Sequence, residues 1–447
     1  MSSLWRLLGD VSRRAWGCLA DGPPWRVLCR LVMMGLMVAG LGVLFVALGL
    51  VSIAADRGHW PLTEDVLRIT MNHTVRMRTL RSQAPALDQP ALVLKGAGHY
   101  ATGCMPCHGA PGQDRSLLVF GMVPEPPVLS EVVPTRDPSE LFWVVKHGLR
   151  YTAMPAWPSQ QRDDEVWAVV AFLHALPGMS PARYRELAYG PLSSREHTGN
   201  LMLLDDLIAP PMSTLDNCAR CHGEQGEGRG TGAFPKLAGQ SEAYLLASLQ
   251  AFARGERHSG VMEPIAASLD PATMQALARH YAGLGAGLPK RPDASMYPIA
   301  GAAAIAAAAE GESASGDLLP ASPTRGAILA TRGLASERIP ACQHCHGPDA
   351  TVRNPLYPRL AGQYPQYLAL QLHLFQQERR GGTPYHRIMQ HAASSMSARQ
   401  IEDLAAYCGQ WAGDPVQAVR PGLPSAMPPP AESVAEPQPV RGGGEGT

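Results

Sequence analysis

Three stretches of the chain share one pattern: Cys104-Met105-Pro106-Cys107-His108, Cys218-Ala219-Arg220-Cys221-His222 and Cys342-Gln343-His344-Cys345-His346. Each contains two cysteines separated by two residues, with a histidine directly after the second cysteine. The copies start at positions 104, 218 and 342 in a chain of 447 residues. Solenoid repeats recur every 20–50 residues or so, and these intervals are far longer. The spacing therefore predicts three successive small domains.

The spacing within each stretch suits covalent attachment of a c-type haem. Two thiols three positions apart on one helical turn can reach the two vinyl groups of a porphyrin, and the adjacent histidine can bind the iron. Zinc is the alternative, but a zinc site combines two such pairs into four ligands, whereas here each pair lies alone in its repeat. The pattern predicts three haem c groups, with six attachment cysteines and three axial histidines: Cys104, Cys107, Cys218, Cys221, Cys342 and Cys345, with His108, His222 and His346.

The second axial ligand decides what each iron can do. A methionine favours electron transfer, whereas an open position allows a small molecule to bind. One methionine lies ahead of a closing helix in each repeat: Met154, Met262 and Met389. Five other side chains could take their places: Met122 in the first repeat, and Met396, His258, His386 and His391 in the other two. Alignment of the repeats pairs Met396 with Leu269 and so favours Met389.

The second and third repeats match each other more closely than either matches the first. Phe-Pro-Lys-Leu-Ala-Gly-Gln at 234–240 corresponds to Tyr-Pro-Arg-Leu-Ala-Gly-Gln at 357–363. A Tyr-Leu pair follows at the same distance in both, at 244–245 and 367–368. The first repeat is more divergent and has Pro-Pro-Val-Leu at 126–129 instead.

Helix signals follow each motif in a similar order. The sequence predicts a helix after the Tyr-Leu pairs, over Tyr244 to Arg254 and Tyr367 to Glu378. It predicts that the closing helices begin at the acidic run 163–165, at Asp270-Pro271 and at the Ser397/Gln400 capping box. Strand signals are weak throughout, so the folded parts are expected to be all-α.

Residues 31–55, LVMMGLMVAGLGVLFVALGLVSIAA, carry no charge and are long enough to cross a bilayer as a helix. A cleaved signal peptide is the alternative, but its apolar core spans only about 7–15 residues. Five arginines precede the span, which predicts a cytoplasmic N-terminus and places everything after residue 55 on the far side. The basic segment from Leu67 to Arg81 predicts either a helix on the outer membrane surface or a solvated linker.

Composition excludes some functions. Lysine plus arginine and aspartate plus glutamate both number 38, so the formal net charge is zero. A nucleic-acid-binding protein would carry a basic excess. Three of the nine cysteines fall outside the motifs, and Cys18, Cys29 and Cys408 do not form an even set for a disulfide framework.

The motifs, later methionines and closing helices resemble the class I cytochrome c family over residues 91–180, 205–287 and 325–412. The resemblance implies that the carbonyl of one proline after each motif accepts a hydrogen bond from the ligand histidine and tunes its basicity. By position these prolines are Pro127, Pro235 and Pro358. The second and third repeats resemble the two halves of dihaem cytochromes of the c4 type. The first resembles monohaem subunits of membrane respiratory chains.

The resemblance and the composition together divide the chain into eight segments. They are an N-terminal cytoplasmic segment (1–30), a transmembrane anchor (31–55), a juxtamembrane segment (56–90), cytochrome c domain 1 (91–187), domain 2 (188–287), a flexible linker (288–324), domain 3 (325–413) and a disordered tail (414–447). The linker departs from the c4 pattern and predicts a looser arrangement of domains 2 and 3.

Three functions remain open. The favoured one is an electron carrier of a respiratory chain, anchored in a bacterial inner membrane with its haem domains in the periplasm. It would pass electrons between a quinol-oxidising complex or dehydrogenase and a terminal oxidase or soluble carrier, without a small-molecule substrate or nucleic acid of its own. The alternative is the trihaem cytochrome subunit of a membrane-bound dehydrogenase, whose substrate chemistry belongs to another subunit. A haem peroxidase would need an open iron position, which three methionine ligands disfavour.

Overall fold

The computed structural model describes residues 23–50, 54, 58, 60–194, 214–230, 232–284, 321–347 and 354–410. The predicted linker (288–324) and tail (414–447) lie almost wholly outside these ranges, as do most of the N-terminal segment (1–30) and Cys18. The described residues form helices and isolated bridges but no strand, which confirms the all-α class.

Seventeen α-helices can be assigned within the described residues. They are α1 (Pro24–Ala47), α2 (Pro61–Thr79), α3 (Pro90–Gly103), α4 (Met105–His108), α5 (Leu129–Val132), α6 (Pro138–His147), α7 (Asp163–Ala175), α8 (Pro181–Tyr189), α9 (Thr214–His222), α10 (Glu242–Ala253), α11 (Met262–Ala267), α12 (Pro271–Gly283), α13 (Pro323–Arg332), α14 (Gln343–His346), α15 (Pro365–Gln376), α16 (His386–Ser394) and α17 (Ala398–Gln410). Four 3-10 helices lie between them: Leu117–Gly121, Val133–Thr135, Gly190–Ser194 and Ala335–Glu337. We call residues 90–194 unit one, the described part of 214–284 unit two, and the described part of 321–410 unit three.

The closing helices α7, α12 and α17 begin where the sequence predicts. The Asp270 carboxylate accepts a hydrogen bond from the Thr273 amide at 2.9 Å, which caps α12. The amide of Ser397 donates to Gln400 Oε1 at 2.8 Å, and the amide of Gln400 donates to Ser397 Oγ at 3.3 Å. This reciprocal pair is the predicted capping box at the start of α17.

In units one and three, the helix before the motif crosses the closing helix at close range. Gly96 of α3 faces the backbone of Ala168 in α7, and Gly326 of α13 faces the backbone of Asp403 in α17. A methyl group built on Gly326 would come within 2.8 Å of Tyr407 Cβ. Glycine is therefore required at this crossing because any side chain would separate the two helices.

The sequence interpretation missed helix α8, which joins units one and two. Tyr184 and Leu187 of α8 are buried in the core of unit one, and Ala219 of the second motif belongs to the same core. The Ser180 hydroxyl accepts from the Arg183 amide and Pro181 occupies the first helical position. Such a cap followed by proline is a recognised start signal, so this helix could have been predicted.

Units two and three contact each other directly, so the predicted loosening of this pair is wrong. The Gln240 side-chain amide donates to the Arg359 carbonyl and accepts from the Arg359 amide, both at 2.9 Å. Gln363 makes the same two bonds with the backbone of Lys236, both at 3.0 Å. The Pro-x-Leu-Ala-Gly-Gln segments, recognised in the sequence as a repeat, thus form the contact between the units.

Helix α1 is the one described helix that is long and apolar enough to span a membrane, judged by length and composition. It runs from Pro24 to Ala47, so it begins and ends earlier than the predicted 31–55. Gly49 follows it with a φ of 68° and ends the helix. Residues 51–53 and 55–57 lie outside the described ranges. No residue of α1 is buried against the rest of the chain.

Helix α2 packs against unit one. Its Val75 side chain is only 2% exposed, and Asn72 accepts a hydrogen bond from Arg136 at 2.8 Å. Neither sequence-based alternative, a membrane-surface helix or a solvated linker, anticipated this contact.

Candidate haem sites

Each Cys-x-x-Cys-His motif forms a single helical turn. The His108 amide donates to the Cys104 carbonyl and the His346 amide donates to the Cys342 carbonyl, both at 3.0 Å, while the second motif is the last part of α9. This turn places both thiols and the histidine of a motif side by side.

A glycine follows the histidine of every motif at a left-handed φ. The angles are 70°, 82° and 79° for Gly109, Gly223 and Gly347. Residues with a Cβ rarely adopt this conformation, so glycine lets the chain turn away directly after the ligand. The sequence interpretation did not single out these glycines, although all three follow their motifs without a gap.

The three motif histidines hold one tautomer. The Nδ1 of His108 lies 2.8 Å from the carbonyl oxygen of Pro127. The corresponding distances are 2.9 Å from His222 to Pro235 and 2.9 Å from His346 to Pro358. A carbonyl oxygen can only accept, so Nδ1 carries the proton and Nε2 keeps a free electron pair. An imidazole in this form can bind a metal through Nε2.

Burial also keeps these histidines neutral. It lowers the pKa of His108, His222 and His346 below the usual value, although the proline carbonyls act in the opposite direction. Neutral imidazole is the form that ligates iron, because protonation removes the electron pair that would form the bond.

The thiols of Cys104, Cys218 and Cys342 lie in surroundings that disfavour the thiolate. Burial, aided by the neighbouring cysteine, raises the pKa of Cys104 to about 12 and that of Cys218 to about 11. Burial likewise raises the pKa of Cys342 to about 11. Zinc sites bind thiolates and lie in surroundings that lower the thiol pKa. The thioethers of a c-type haem carry no charge, so they fit this apolar setting better.

Units two and three share one cavity of about 1000 Å³. Both motif histidines and both attachment pairs line it, as do the two predicted methionines of these units: Met262 and Met389. Met262 begins α11, where its amide donates to Ser259 Oγ at 3.1 Å, and Met389 lies within α16. The structure therefore brings the predicted ligands of each unit to one space.

The polar lining of this cavity fits a haem. The Nε atoms of Arg220, Arg359 and Arg380 are buried and have no hydrogen-bond partner among the described residues, and all three side chains line the cavity. They are donors, and the two propionates of a haem supply acceptor oxygens. The wide apolar remainder of the lining suits a porphyrin face.

Arginine and tyrosine side chains cross between units two and three in a second reciprocal set. Arg380 donates to the Tyr244 hydroxyl at 2.9 Å, and Arg257 donates to the Tyr367 hydroxyl at 3.2 Å. The sequence interpretation noted the tyrosines but missed both arginines. Arg257 and Arg380 follow the Gln of their repeats at the same distance, and this spacing was the available signal.

The first site lies apart from this cavity. Met154 is half-buried in a loop between α6 and α7, with its amide donating to Thr152 Oγ1 at 3.1 Å and its carbonyl accepting from the Leu149 amide at 3.2 Å. Trp157 anchors the end of this loop, because its side chain is buried and its amide donates to the Lys146 carbonyl at 3.0 Å. Met122, the alternative to Met154 as the axial ligand, follows the 3-10 helix Leu117–Gly121.

The remaining rival ligands occupy varied settings. Met396 lines the shared cavity but is 5% exposed and packs in the core of unit three with Ile401 and Leu404. His258 Nδ1 lies 3.6 Å from Glu263 Oε1, and His386 Nδ1 donates to the Thr383 carbonyl at 2.9 Å, so each has a neighbour within its own unit. His391 is exposed.

Two family models match this chain. Residues 91–173 match the model of cytochrome c oxidase, cbb3-type, subunit III, and residues 213–281 match the cytochrome c model. The two matches fall on units one and two, which the sequence had already distinguished from each other.

Curated relatives extend the likeness. The chain is 35% identical over 190 residues to the thiosulfate dehydrogenase electron acceptor of Stutzerimonas stutzeri, covering 42% of this chain and 76% of that protein. It is 34% identical over 203 residues to the protein of the same name from Thiomonas intermedia, covering 45% and 79%. It is 31% identical over 198 residues to cytochrome c4 of Azotobacter vinelandii, covering 42% and 82%. Each of these relatives matches less than half of this chain.

Proposed function

This chain belongs to the class I cytochrome c family and has c4-like dihaem domains, and on that basis we propose that it is a membrane-anchored carrier with three haems c. It is a non-catalytic electron carrier, as its relatives are. The proposed number of three haems is supported by one geometry that recurs at all three motifs. Each motif has the same helical turn, the same glycine after the histidine and the same proline carbonyl on Nδ1.

The axial ligands follow from the same geometry. His108, His222 and His346 present Nε2, and Met154, Met262 and Met389 complete the iron sites. A bound haem c exchanges one electron between its ferrous and ferric states. This chain's residues orient the histidines, exclude water with apolar walls and place donor groups where propionates are expected. Methionine as the sixth ligand raises the potential and fills the site, which suits electron transfer.

The names of the relatives and of one matching family suggest an electron donor and an electron acceptor for this chain. Two relatives are thiosulfate dehydrogenase electron acceptors, so a dehydrogenase of that kind is the proposed donor. Unit one matches a subunit of cbb3-type oxidases, so a terminal oxidase is the proposed recipient. Helix α1 would hold the chain in the inner membrane, with units one to three in the periplasm, between a donor and an oxidase of the respiratory chain.

A haem count on the full-length chain tests the number of sites. The protein is produced in a host with c-type haem maturation and extracted from membranes with detergent. Pyridine haemochrome absorbance against peptide concentration should give three haems per chain, and low-temperature EPR of the oxidised protein should give low-spin His/Met signals alone. Two haems per chain, or a high-spin signal in the resting protein, would contradict the proposal.

A coupled assay tests the route. The reduced absorbance of the chain should appear when thiosulfate and a thiosulfate dehydrogenase are added, and should vanish when a cbb3-type oxidase and oxygen follow. Reduction only by a quinol-oxidising complex would assign a different donor, and co-purification with a flavin- or quinone-bearing subunit would favour the dehydrogenase-subunit alternative. An alkaline carbonate wash that releases the intact chain from membranes would refute the anchor.

A further inference from the structure

Helix α3 of unit one lies against the second haem-attachment motif. A Cβ built on Gly98 would stand 3.4 Å from the Sγ of Cys221 and 2.6 Å from the Cζ of Phe234. Only a glycine fits there without displacing the phenylalanine ring. Six residues further along the same chain, Cys104 attaches the proposed first haem. One short helical stretch therefore touches one attachment site and leads into the other.

Polar contacts fix this approach. Arg220, which lies between the two cysteines of the second motif, donates from its guanidinium to the Thr102 hydroxyl of α3 at 2.5 Å. Arg229 of unit two donates to the Leu187 carbonyl of α8 at 3.1 Å and to the Arg220 carbonyl at 2.6 Å. A guanidinium bonded to both units holds the second motif in register with unit one.

Aromatic and imidazole rings bridge the same contact in an unbroken row. The ring centroids of Trp157 and His99 lie 5.8 Å apart, and those of His99 and Phe234 lie 6.3 Å apart. Phe234 lies 6.4 Å from His222, the proposed axial ligand of the second iron. The row begins in the loop that carries Met154 and ends on His222, so it connects the ligand sets of two sites.

His99 lies between Trp157 and Phe234 in the row. Its side chain is 6% exposed, lines the cavity of the second site, and neither ring nitrogen has a hydrogen-bond partner among the described residues. A buried imidazole without hydrogen-bond partners costs free energy, so His99 does not stabilise unit one through its ring nitrogens, and its position at the junction needs another explanation.

A buried network of charged side chains binds unit one to residues 258–260 of unit two, which directly precede Met262. Glu165 accepts from the Ser259 hydroxyl at 2.7 Å and from the Gly260 amide at 2.6 Å. Arg162 donates to the His258 carbonyl at 2.7 Å. Hydrogen bonds therefore join the two units on the methionine side of the second site as well as on its histidine side.

We infer that electrons pass directly between the first and second haem sites across the contact in which Gly98 and His99 of unit one lie against Cys221 and Phe234 of unit two. This inference rests on the proposed electron-transfer function and adds the order of the sites. The site of unit two lies between the other two in the order of electron transfer, because unit two also contacts unit three at the shared cavity. One electron moves at a time: the donor iron goes from ferrous to ferric, the acceptor iron from ferric to ferrous, and no bond forms or breaks.

The experiment compares His99→Leu and His99→Phe in the full-length holoprotein. Flash photoreduction followed by time-resolved absorbance measures how fast electrons redistribute among the haems. Leucine removes the ring between Trp157 and Phe234, and we expect the exchange between sites one and two to slow severalfold. Phenylalanine restores a ring, and we expect the exchange to stay near the wild-type rate. The exchange between sites two and three should be unchanged in both variants.

A readout independent of electron flow comes from EPR of the fully oxidised chain. Gly98→Val adds a side chain where Phe234 lies and should weaken the magnetic interaction between the first and second ferric haems. Arg229→Ala, which removes the hydrogen bonds to the Leu187 and Glu186 carbonyls of α8 and so loosens the same two units without touching a ring of the row, serves as the comparison for a purely structural effect. If His99→Leu, with three haems still bound, leaves the one–two exchange unchanged, the inference is wrong although the carrier function stands. If the chain does not bind three haems, the proposed function itself fails.

Discussion

His108, His222 and His346 each depend on one proline carbonyl for the form in which they can bind iron. The carbonyl accepts the Nδ1 proton and leaves Nε2 free, and burial suppresses protonation of the ring. The motif and the family resemblance predict both members of each pair. The structure adds that a glycine at positive φ must follow each histidine. This requirement comes from the backbone angle, which the residue pattern does not give.

Met389 and Met396 offer a matched test at the level of single residues. Met389 is the proposed ligand, so Met389→Ala should remove one His/Met signal and produce a high-spin or differently ligated iron in EPR. Met396 packs in the core, so Met396→Ala should keep all low-spin signals but lower the free energy of unfolding by about 2–5 kcal/mol. The opposite pattern, ligand loss in Met396→Ala alone, would reassign the third axial ligand.

Among elements, the closing helices were the most predictable from sequence. Asp270 and Ser397 cap α12 and α17 as expected, because capping depends on residues a few positions apart. The bounds of α1 were less predictable, since an apolar run does not mark where a helix ends. The docking of α2 on unit one, and of α8 on the rest of that unit, could not be derived, because each depends on side chains that are distant in the sequence.

Gly326 in α13 provides a prediction about helix packing. Gly326→Ala would place a methyl group within 2.6 Å of the Asp403 backbone carbon and 2.8 Å of Tyr407 Cβ. We expect the overpacked crossing to lower the free energy of unfolding by about 1–3 kcal/mol. Gly283→Ala is the control, because nothing lies within 4 Å of a methyl group at that helical position. Chemical denaturation of the holoprotein measures both, and the control should be neutral or stabilising by up to about 1 kcal/mol.

In the whole molecule, the units form contacts that the sequence described only in part. The Pro-x-Leu-Ala-Gly-Gln repeat was visible as a pattern, but its pairing with its own copy was not, and the intervening linker suggested the opposite. The junction between units one and two combines a glycine, a histidine and a buried ionic network, none of which is distinctive until the chain is folded. The contacts between units were therefore the part of the structure that could not be predicted from the sequence.

The contact between units two and three yields a stability prediction. Gln363→Ala leaves the half-buried Lys236 amide and carbonyl without their partner, and Gln240→Ala does the same to the half-buried Arg359 backbone. Each change should lower the free energy of unfolding by about 1–3 kcal/mol in thermal or chemical denaturation. Gln225→Ala, at an exposed position, should stay within about 0.5 kcal/mol of the wild type. Equal stability of all three variants would mean that the contact contributes nothing.

Acid should weaken the junction of units one and two. Burial alone would raise the pKa of Asp164, but Arg162 and Lys95 hold it well below its usual range. A depressed folded-state pKa contributes stability that is complete above the unfolded value of about 3.9 and is lost as pH falls towards the folded value. The free energy of unfolding should therefore be steady from pH 7 to 5 and decline progressively below about pH 4.

Asp164→Asn tests the origin of that decline. The variant should be less stable at pH 7 by about 1–3 kcal/mol, because it removes the charged hydrogen-bond partner of the half-buried Lys95 and leaves the buried Arg162 with Glu165 as its carboxylate partner. It should also show a flatter profile between pH 4 and 2. A wild-type slope retained in full by the variant would assign the acid sensitivity to other carboxylates.

The paired glutamines have a consequence for how this molecule can change. Gln240 meets Arg359 as Gln363 meets Lys236, which is the rule of an isologous dimer, where a surface contacts its own copy. In a true homodimer one mutation alters both halves of such a contact at once. Here the two copies share a chain, so each half can be altered alone while its counterpart keeps the contact. Lysine at 236 and arginine at 359 already differ, and the two haem environments are free to diverge in the same way without loss of the pairing.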